Sequence, residues 1–182
     1  NSSSAQLALY AKSLEDEISR IQLMEYQLAS DEDLNYLANA YSVMSDFERS
    51  QYMLRAVKML TIMKNSSSFI ESAVIHIPSI QKTVSTDSSS QFLFESYADS
   101  LKKHQEDSGL SFENNQICLY AQYPFTLASA NEYDALFIIK VTLSNSAIAD
   151  LLNGFNQSPG SFTELSAADQ DYTVWAGSAL PE

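Results

Sequence analysis

The stretch from Lys64 to Thr86, KNSSSFIESAVIHIPSIQKTVST, most limits what this chain can fold into. Phe69 to Ile77 is largely apolar at successive positions, the pattern of an inner strand covered on both faces. Pro78 has no N–H to offer a strand ladder and should close that strand. With Ser79 it forms a two-residue corner, after which Gln81 to Ser85 returns as a second, antiparallel strand. A long lead of helical periodicity precedes this unit, and alternating strands and short helices follow it. The fold class expected is α+β: a long N-terminal helix and two shorter ones leading into a mixed, mainly antiparallel sheet.

The chain has 182 residues, of which 45% are hydrophobic, enough for one domain with a sizeable core. Its formal charge is −13. An acidic surface repels phosphate backbones and anionic lipid, so no nucleic-acid partner and no membrane-surface patch are expected. The single cysteine, Cys118, cannot close an internal disulfide, and no C-x-x-C occurs. Cys118 reads as a small core residue of a strand. Cysteine poverty suits either the cytoplasm or the outside of a Gram-positive cell. No apolar run approaches the ~18–20 residues of a membrane span, and no signal peptide is seen. Beginning at NSSS and ending at ALPE, the chain reads as a piece cut from a longer protein.

Ser4 to Leu28 form the first expected helix. Leu7, Leu14, Ile21 and Leu28 recur at heptad spacing with Tyr10, Ile18 and Met24 beside them. Such a seam suits either a stalk paired with its twin in a homodimer or one amphipathic helix on its own core. Ser30 with Asp33 resembles a capping box for a second helix carrying Leu34, Leu37, Ala38 and Tyr41. Ser45 with Glu48 is a fuller box, S-x-x-E, opening a third helix to about Lys64. Met53, Val57, Leu60 and Met63 line one side of it, methionine serving as flexible core filler.

Beyond the second strand, serines 88 to 90 read as a loop. Gln91 to His104 read as a helix with Leu93, Tyr97 and Leu101 on one face. QEDSGLSFENNQ is polar and reads as a surface loop. Ile117 to Phe125 and Asp134 to Leu143 are strands, joined through Ser129, Asn131 and Asp134 as a hairpin. Asn145 or Ser146 caps a short helix with Ile148, Leu151 and Leu152, stopped at Asn153-Gly154. SFTEL and YTVWAG, around AADQD, form a last hairpin.

For catalysis the motifs are absent. The two histidines, His76 and His104, stand in no metal spacing. There is no G-x-S-x-G elbow, and the four glycines form no phosphate loop. No catalytic residue, metal ligand or cofactor is assigned. Binding is better supported, because alternate strand residues share a face. Ser72, Val74 and His76 share one side of the first strand. If the strands pair as supposed, Cys118, Tyr120 and Gln122, and Ile138, Lys140 and Thr142, share that side of theirs. His76, Tyr120, Gln122 and Lys140 then converge, with Tyr97 and Trp175 closing an apolar wall around a few polar groups. Lys140 and His76 would favour an acidic or polar small molecule. The plainer alternative is that these side chains face water, with Lys140 snorkelling at a strand end.

The order of elements, with LASDEDLNYLA, Asp46-Phe47-Glu48-Arg49 and Lys64 through Ser85, resembles the extracytoplasmic Cache (PAS-like) sensor domain of Gram-positive two-component histidine kinases. The resemblance spans most of residues 7 to 176 and lies in pattern rather than in an invariant motif. It implies an extracellular domain of a plasma-membrane protein, held by membrane helices outside this chain, that binds a small ligand beside the sheet. It also implies residues 1–30 as a helical stalk that carries the signal and pairs in a homodimer, and 31–182 as the sensor domain. The fragment itself would not be an enzyme; its parent would be a protein histidine kinase. Two departures stand out: no helix follows Trp175 toward the membrane, as in a domain truncated at its C-terminus, and the turn Ala167 to Asp171 lacks a glycine. The same sensor serves chemoreceptors and membrane-anchored transcription regulators, and from another class the chain reads as a ligand-free interaction module built on its heptad helix.

Overall fold

A computed structural model describes residues 2–87, 95–98, 109–123, 135–154, 156, 161–168 and 170–177, with side chains from Ala5 onward. Three helices come first: α1 (Ser2–Ala29), α2 (Glu32–Ala40) and α3 (Asp46–Asn65). Strands β1 (Ile70–Ile77), β2 (Lys82–Ser85), β3 (Leu110–Glu113), β4 (Gln116–Tyr123) and β5 (Phe137–Leu143) form one sheet in the order β2-β1-β5-β4-β3. Every pairing in it is antiparallel. Helix α4 (Asn145–Asn153) follows, then the hairpin β6 (Phe162–Ser166) and β7 (Thr173–Gly177), which is a separate two-stranded sheet. The α+β architecture with its long first helix is thus as the pattern predicts. Among the described residues no helix is long and apolar enough to cross a membrane.

One face of the five-stranded sheet carries the main core. Ala73, Ile75 and Ile77 of β1, Ile117, Leu119 and Ala121 of β4, and Phe137, Ile139, Val141 and Leu143 of β5 all point to it. Helix α1 lies over β4 and β5, and α3 lies over β1 and β2. The inner strands β1, β4 and β5 are apolar on successive residues because both of their faces are covered. A bulge at Glu71 shifts the β1–β5 register between Ile70 and Ser72. It lets Ile70 and Ala73 both enter the core while Glu71 stays exposed.

The heptad seam of α1 is spent mostly inside the chain. Ile21 and Ala29 are fully buried, and Leu14, Ile18, Met24 and Leu28 pack against the same core. That core runs across residue 30 to Leu34, Leu37 and Ala38 of α2. Only the N-terminal end of the seam is open, with Leu7 53% exposed.

The capping box Ser45/Glu48 is formed in full. The α2 cap is Asp31, not Ser30: the Asp31 carboxylate accepts from the Leu34 N–H at 3.1 Å, whereas Ser30 Oγ donates to the Tyr26 carbonyl. Asp31→Ala should therefore cost about 1 kcal/mol in urea unfolding, and Ser30→Ala within about 0.5 kcal/mol of nothing. Ser144 caps α4, one residue before the expected pair, by accepting from the Ala147 N–H. Pro78 closes β1, but the corner is a 3₁₀ turn, Pro78–Ile80, followed by Gln81 in the left-handed region at φ 50°.

The largest departure is QEDSGLSFENNQ. Residues Leu110–Glu113 are a strand rather than loop, joined to β4 through Asn114 and Asn115 at φ 51° and 57°. Two consecutive positive φ values make the two-residue hairpin turn whose twist matches the strands, and asparagine tolerates them. Of the expected helix from Gln91 to His104, residues 95–98 are helical and the rest lies outside the described residues. Serines 88 to 90 and the β4–β5 connection, with Pro124, Ser129, Asn131 and Asp134, lie outside them too.

Candidate functional site

The second face of the sheet, turned away from α1 and α3, holds the polar residues. Ladder register sets them in rows. Val74 pairs with Lys140, and Lys140 with Tyr120. His76 pairs with Ile138, and Ile138 with Gln122; Ser72 pairs with Thr142, and Thr142 with Cys118. Because side chains alternate along a strand, these nine residues share one face. Beside Cys118 lies Ser111 of β3. The helical turn 95–98 crosses this face, and Tyr97 is buried with Cys118, Tyr120, Ala135 and Ile138 in a second, smaller cluster.

At the centre is an ion pair. Lys140 Nζ donates to Glu113 Oε2 at 2.8 Å, with side chains only 9% and 8% exposed. Tyr120 donates its hydroxyl to Glu113 Oε1 at 2.6 Å, and Ser111 Oγ donates to the same oxygen at 3.3 Å. The Lys140 ammonium also lies 5.7 Å from the Tyr120 ring centre. One carboxylate thus accepts from an ammonium and two hydroxyls, the satisfaction that a desolvated charge requires. Burial, then the Glu113 hydrogen bond, pushes the Tyr120 phenol far above its ordinary range, so it stays a donor. Burial likewise pushes the Cys118 thiol up to about 11, which keeps it protonated and unreactive.

On the other side of Tyr120, Tyr97 donates its hydroxyl to the Gln122 amide oxygen. The Tyr97 and Tyr120 rings meet at 5.6 Å and 49°, a tilted contact. His76 is half-buried, and its Nδ1 lies 2.8 Å from Thr83 Oγ1 on β2. Burial lowers its pKa below the ordinary imidazole value, which favours the neutral ring at pH 7.

Glycine at 109 lets β3 close against β4 here. Gly109 has φ +63°, and its carbonyl accepts from the Tyr120 N–H at 2.8 Å. A Cβ at that position would stand 2.2 Å from the Tyr120 carbonyl oxygen.

Five of the six residues singled out for binding, His76, Tyr97, Tyr120, Gln122 and Lys140, therefore belong to this face. Trp175 is not brought to them. It sits on β7 at 37% exposure, against Phe162 at 5.7 Å, while its neighbours Val174 and Ala176 enter the core on the opposite face of the large sheet. Lys140 is neither a surface group nor a free cation, because Glu113 holds it. Glu113 is the residue that sequence reasoning missed, and the Asn114-Asn115 dipeptide between LSFE and QICLY was the signal for its strand.

Chemically, the arrangement is a charge-neutral polar centre with both an anionic acceptor and a cationic donor, walled by tyrosine rings and aliphatic side chains. No protein-family model matches the chain, and no curated protein or solved structure matches it.

Proposed function

We propose that this chain is the extracellular, ligand-sensing domain of a membrane-bound two-component histidine kinase, of the Cache (PAS-like) type, and that it acts by binding rather than by catalysis. The observation that carries the reading is the desolvated Glu113–Lys140 pair on the sheet face away from the helical core, with Tyr120, Tyr97 and Gln122 around it. Apolar residues would fill such a space at no loss of stability, so packing alone does not account for a buried pair. Support also comes from the strand order β2-β1-β5-β4-β3 with a long helix on the opposite face, which suits a PAS-like sheet.

The ion pair narrows the ligand chemistry. A purely anionic ligand that drew Lys140 away would strand Glu113 as a buried, unpaired carboxylate. The ligand that fits carries both an anionic group for Lys140 and a hydrogen-bond donor for Glu113. Exchange of partners at the sheet would then shift α1, which lies on the other face of the same strands. The free energy for that shift is the ligand's preference for one state over the other. Pairing of two copies would use the open end of the seam near Leu7. Leu7→Asp is the substitution for a sedimentation test of dimerisation, since Leu14 and Ile21 pack in the chain's own core.

A thermal-shift panel of amino acids, organic acids, sugars and short peptides tests the reading. A specific ligand at ~100 times its Kd adds about 2.7 kcal/mol, roughly 5–10 °C in Tm for a domain of this size. The shift should vanish in the double variant Glu113→Leu/Lys140→Met. No shift across the panel, or one unchanged in that variant, would count against a ligand site on this face. One observation favours an interaction module instead: Phe47, Leu54 and Ile62 of α3 are 72%, 68% and 61% exposed. Their spacing lays them along one side of the helix.

A further inference from the structure

Glu25 stands apart from the polar face and takes no part in it. It projects from α1 between Ile21 and Ala29, both fully buried, on the side of the helix laid over β4 and β5. Glu25 is 1% exposed, and its Oε1 has no hydrogen-bond partner among the described residues. A surface helix does not need a carboxylate in its core stripe, and an unsatisfied buried one opposes the packing around it.

The side chains that β4 and β5 turn toward α1 are apolar: Ile117, Leu119 and Ala121, then Ile139, Val141 and Leu143. Among the described residues, the titratable groups on the elements packed against α1 supply no countercharge. On β4, Cys118 and Tyr120 belong to the opposite face, and Tyr123 is half-buried at the strand end, stacked on Phe137. On β5, Lys140 is taken by Glu113 across the sheet. Asp150 of α4 is exposed. Along α1 itself, Arg20 is held by Glu17. Ser66 and Ser67, beyond α3, reach Met24 and Glu17.

We propose that the seating of α1 on the sheet is coupled to a proton: the helix docks with Glu25 as the neutral acid and loosens when the carboxylate forms. Burial raises the Glu25 carboxyl well above its ordinary value, in agreement. The sign follows from which state holds the proton. Below the ordinary carboxyl range both states are protonated and docking is at full strength. Between that range and the raised value, the docking constant falls about tenfold per pH unit. Above the raised value it is flat. The device makes the position of α1 a reporter of acidity, and it does not depend on any ligand at the polar face.

Hydrogen exchange on the full chain, corrected for intrinsic rates and run from about pH 5 to pH 8, tests it. In the native sequence, protection of amides from Ile18 to Ala29 should fall with pH by up to about tenfold per unit while β5 amides hold theirs. Glu25→Gln should abolish that slope. Glu25→Leu, which removes the polar atoms altogether, should do the same and serves if the glutamine variant folds poorly. An identical pH profile in the native and substituted chains would overturn the proposal. So would loss of β5 protection in step with α1, which would place the linkage in global unfolding.

Discussion

Replacing Glu113 with alanine is expected to destabilise the fold by about 3–5 kcal/mol, measured as a lower urea midpoint at unchanged slope. The substitution leaves the Lys140 ammonium 9% exposed with no counterion, and it removes the acceptor of the Tyr120 hydroxyl and of Ser111 Oγ. Three donors lose one acceptor together, so the loss should exceed that of any surface ion pair in the chain. Lys12–Asp16, with both side chains more than half exposed, should by contrast contribute little to stability. Lys140→Ala should resemble Glu113→Ala, and the double change Glu113→Leu/Lys140→Met should recover most of the loss. A single substitution costing under about 1 kcal/mol would mean that the pair is solvated in solution.

Phe137→Ala is the second large effect, about 3–5 kcal/mol by the same measurement. Phe137 is fully buried at the start of β5, and its ring stacks on Tyr123 of β4 at 5.4 Å and 11°. The cavity left by the ring adds to the lost transfer energy. Because β5 is the central strand, paired with β1 on one side and β4 on the other, loosening its start also bears on the register that aligns Lys140 with Tyr120. Phe137→Leu should cost markedly less, since it keeps most of the apolar volume.

Much of the polar face was legible because strand periodicity is short-range and strict. Once β1, β4 and β5 are recognised, period two sorts Ser72, Val74 and His76 from Ala73, Ile75 and Ile77 with no knowledge of the fold. What periodicity cannot supply is the identity of the neighbour across the sheet. Glu113 sits on a strand of only four residues, LSFE, embedded in polar sequence, so its hydrophobic signal is weak; the turn chemistry of Asn114-Asn115 carried the information instead. Trp175 illustrates the opposite failure. Its strand is evident from YTVWAG, but only tertiary structure separates β6–β7 from the main sheet and sets Trp175 away from Lys140.

The α1 seam shows a third limit. A heptad of Leu7, Leu14, Ile21 and Leu28 is equally suited to a partner helix and to a sheet, since both present an apolar stripe. The sheet wins from Leu14 onward because β4 and β5 turn unbroken aliphatic rows toward it. Glu25 falls in the same stripe, one position no periodicity argument would choose for a carboxylate. The helix phase that would put an apolar residue there is overridden, although glutamate suits the helix itself.

The most direct test of the central claim, that the sheet face around Glu113 and Lys140 is the binding surface, is an NMR titration of the isotopically labelled chain with the strongest thermal-shift hits. Shift changes are expected to concentrate at Tyr97, Ser111, Glu113, Tyr120, Gln122 and Lys140, with smaller ones carried into α1. Changes confined to the exposed side of α3 around Leu54, with the polar face unmoved by a saturating ligand, would contradict it.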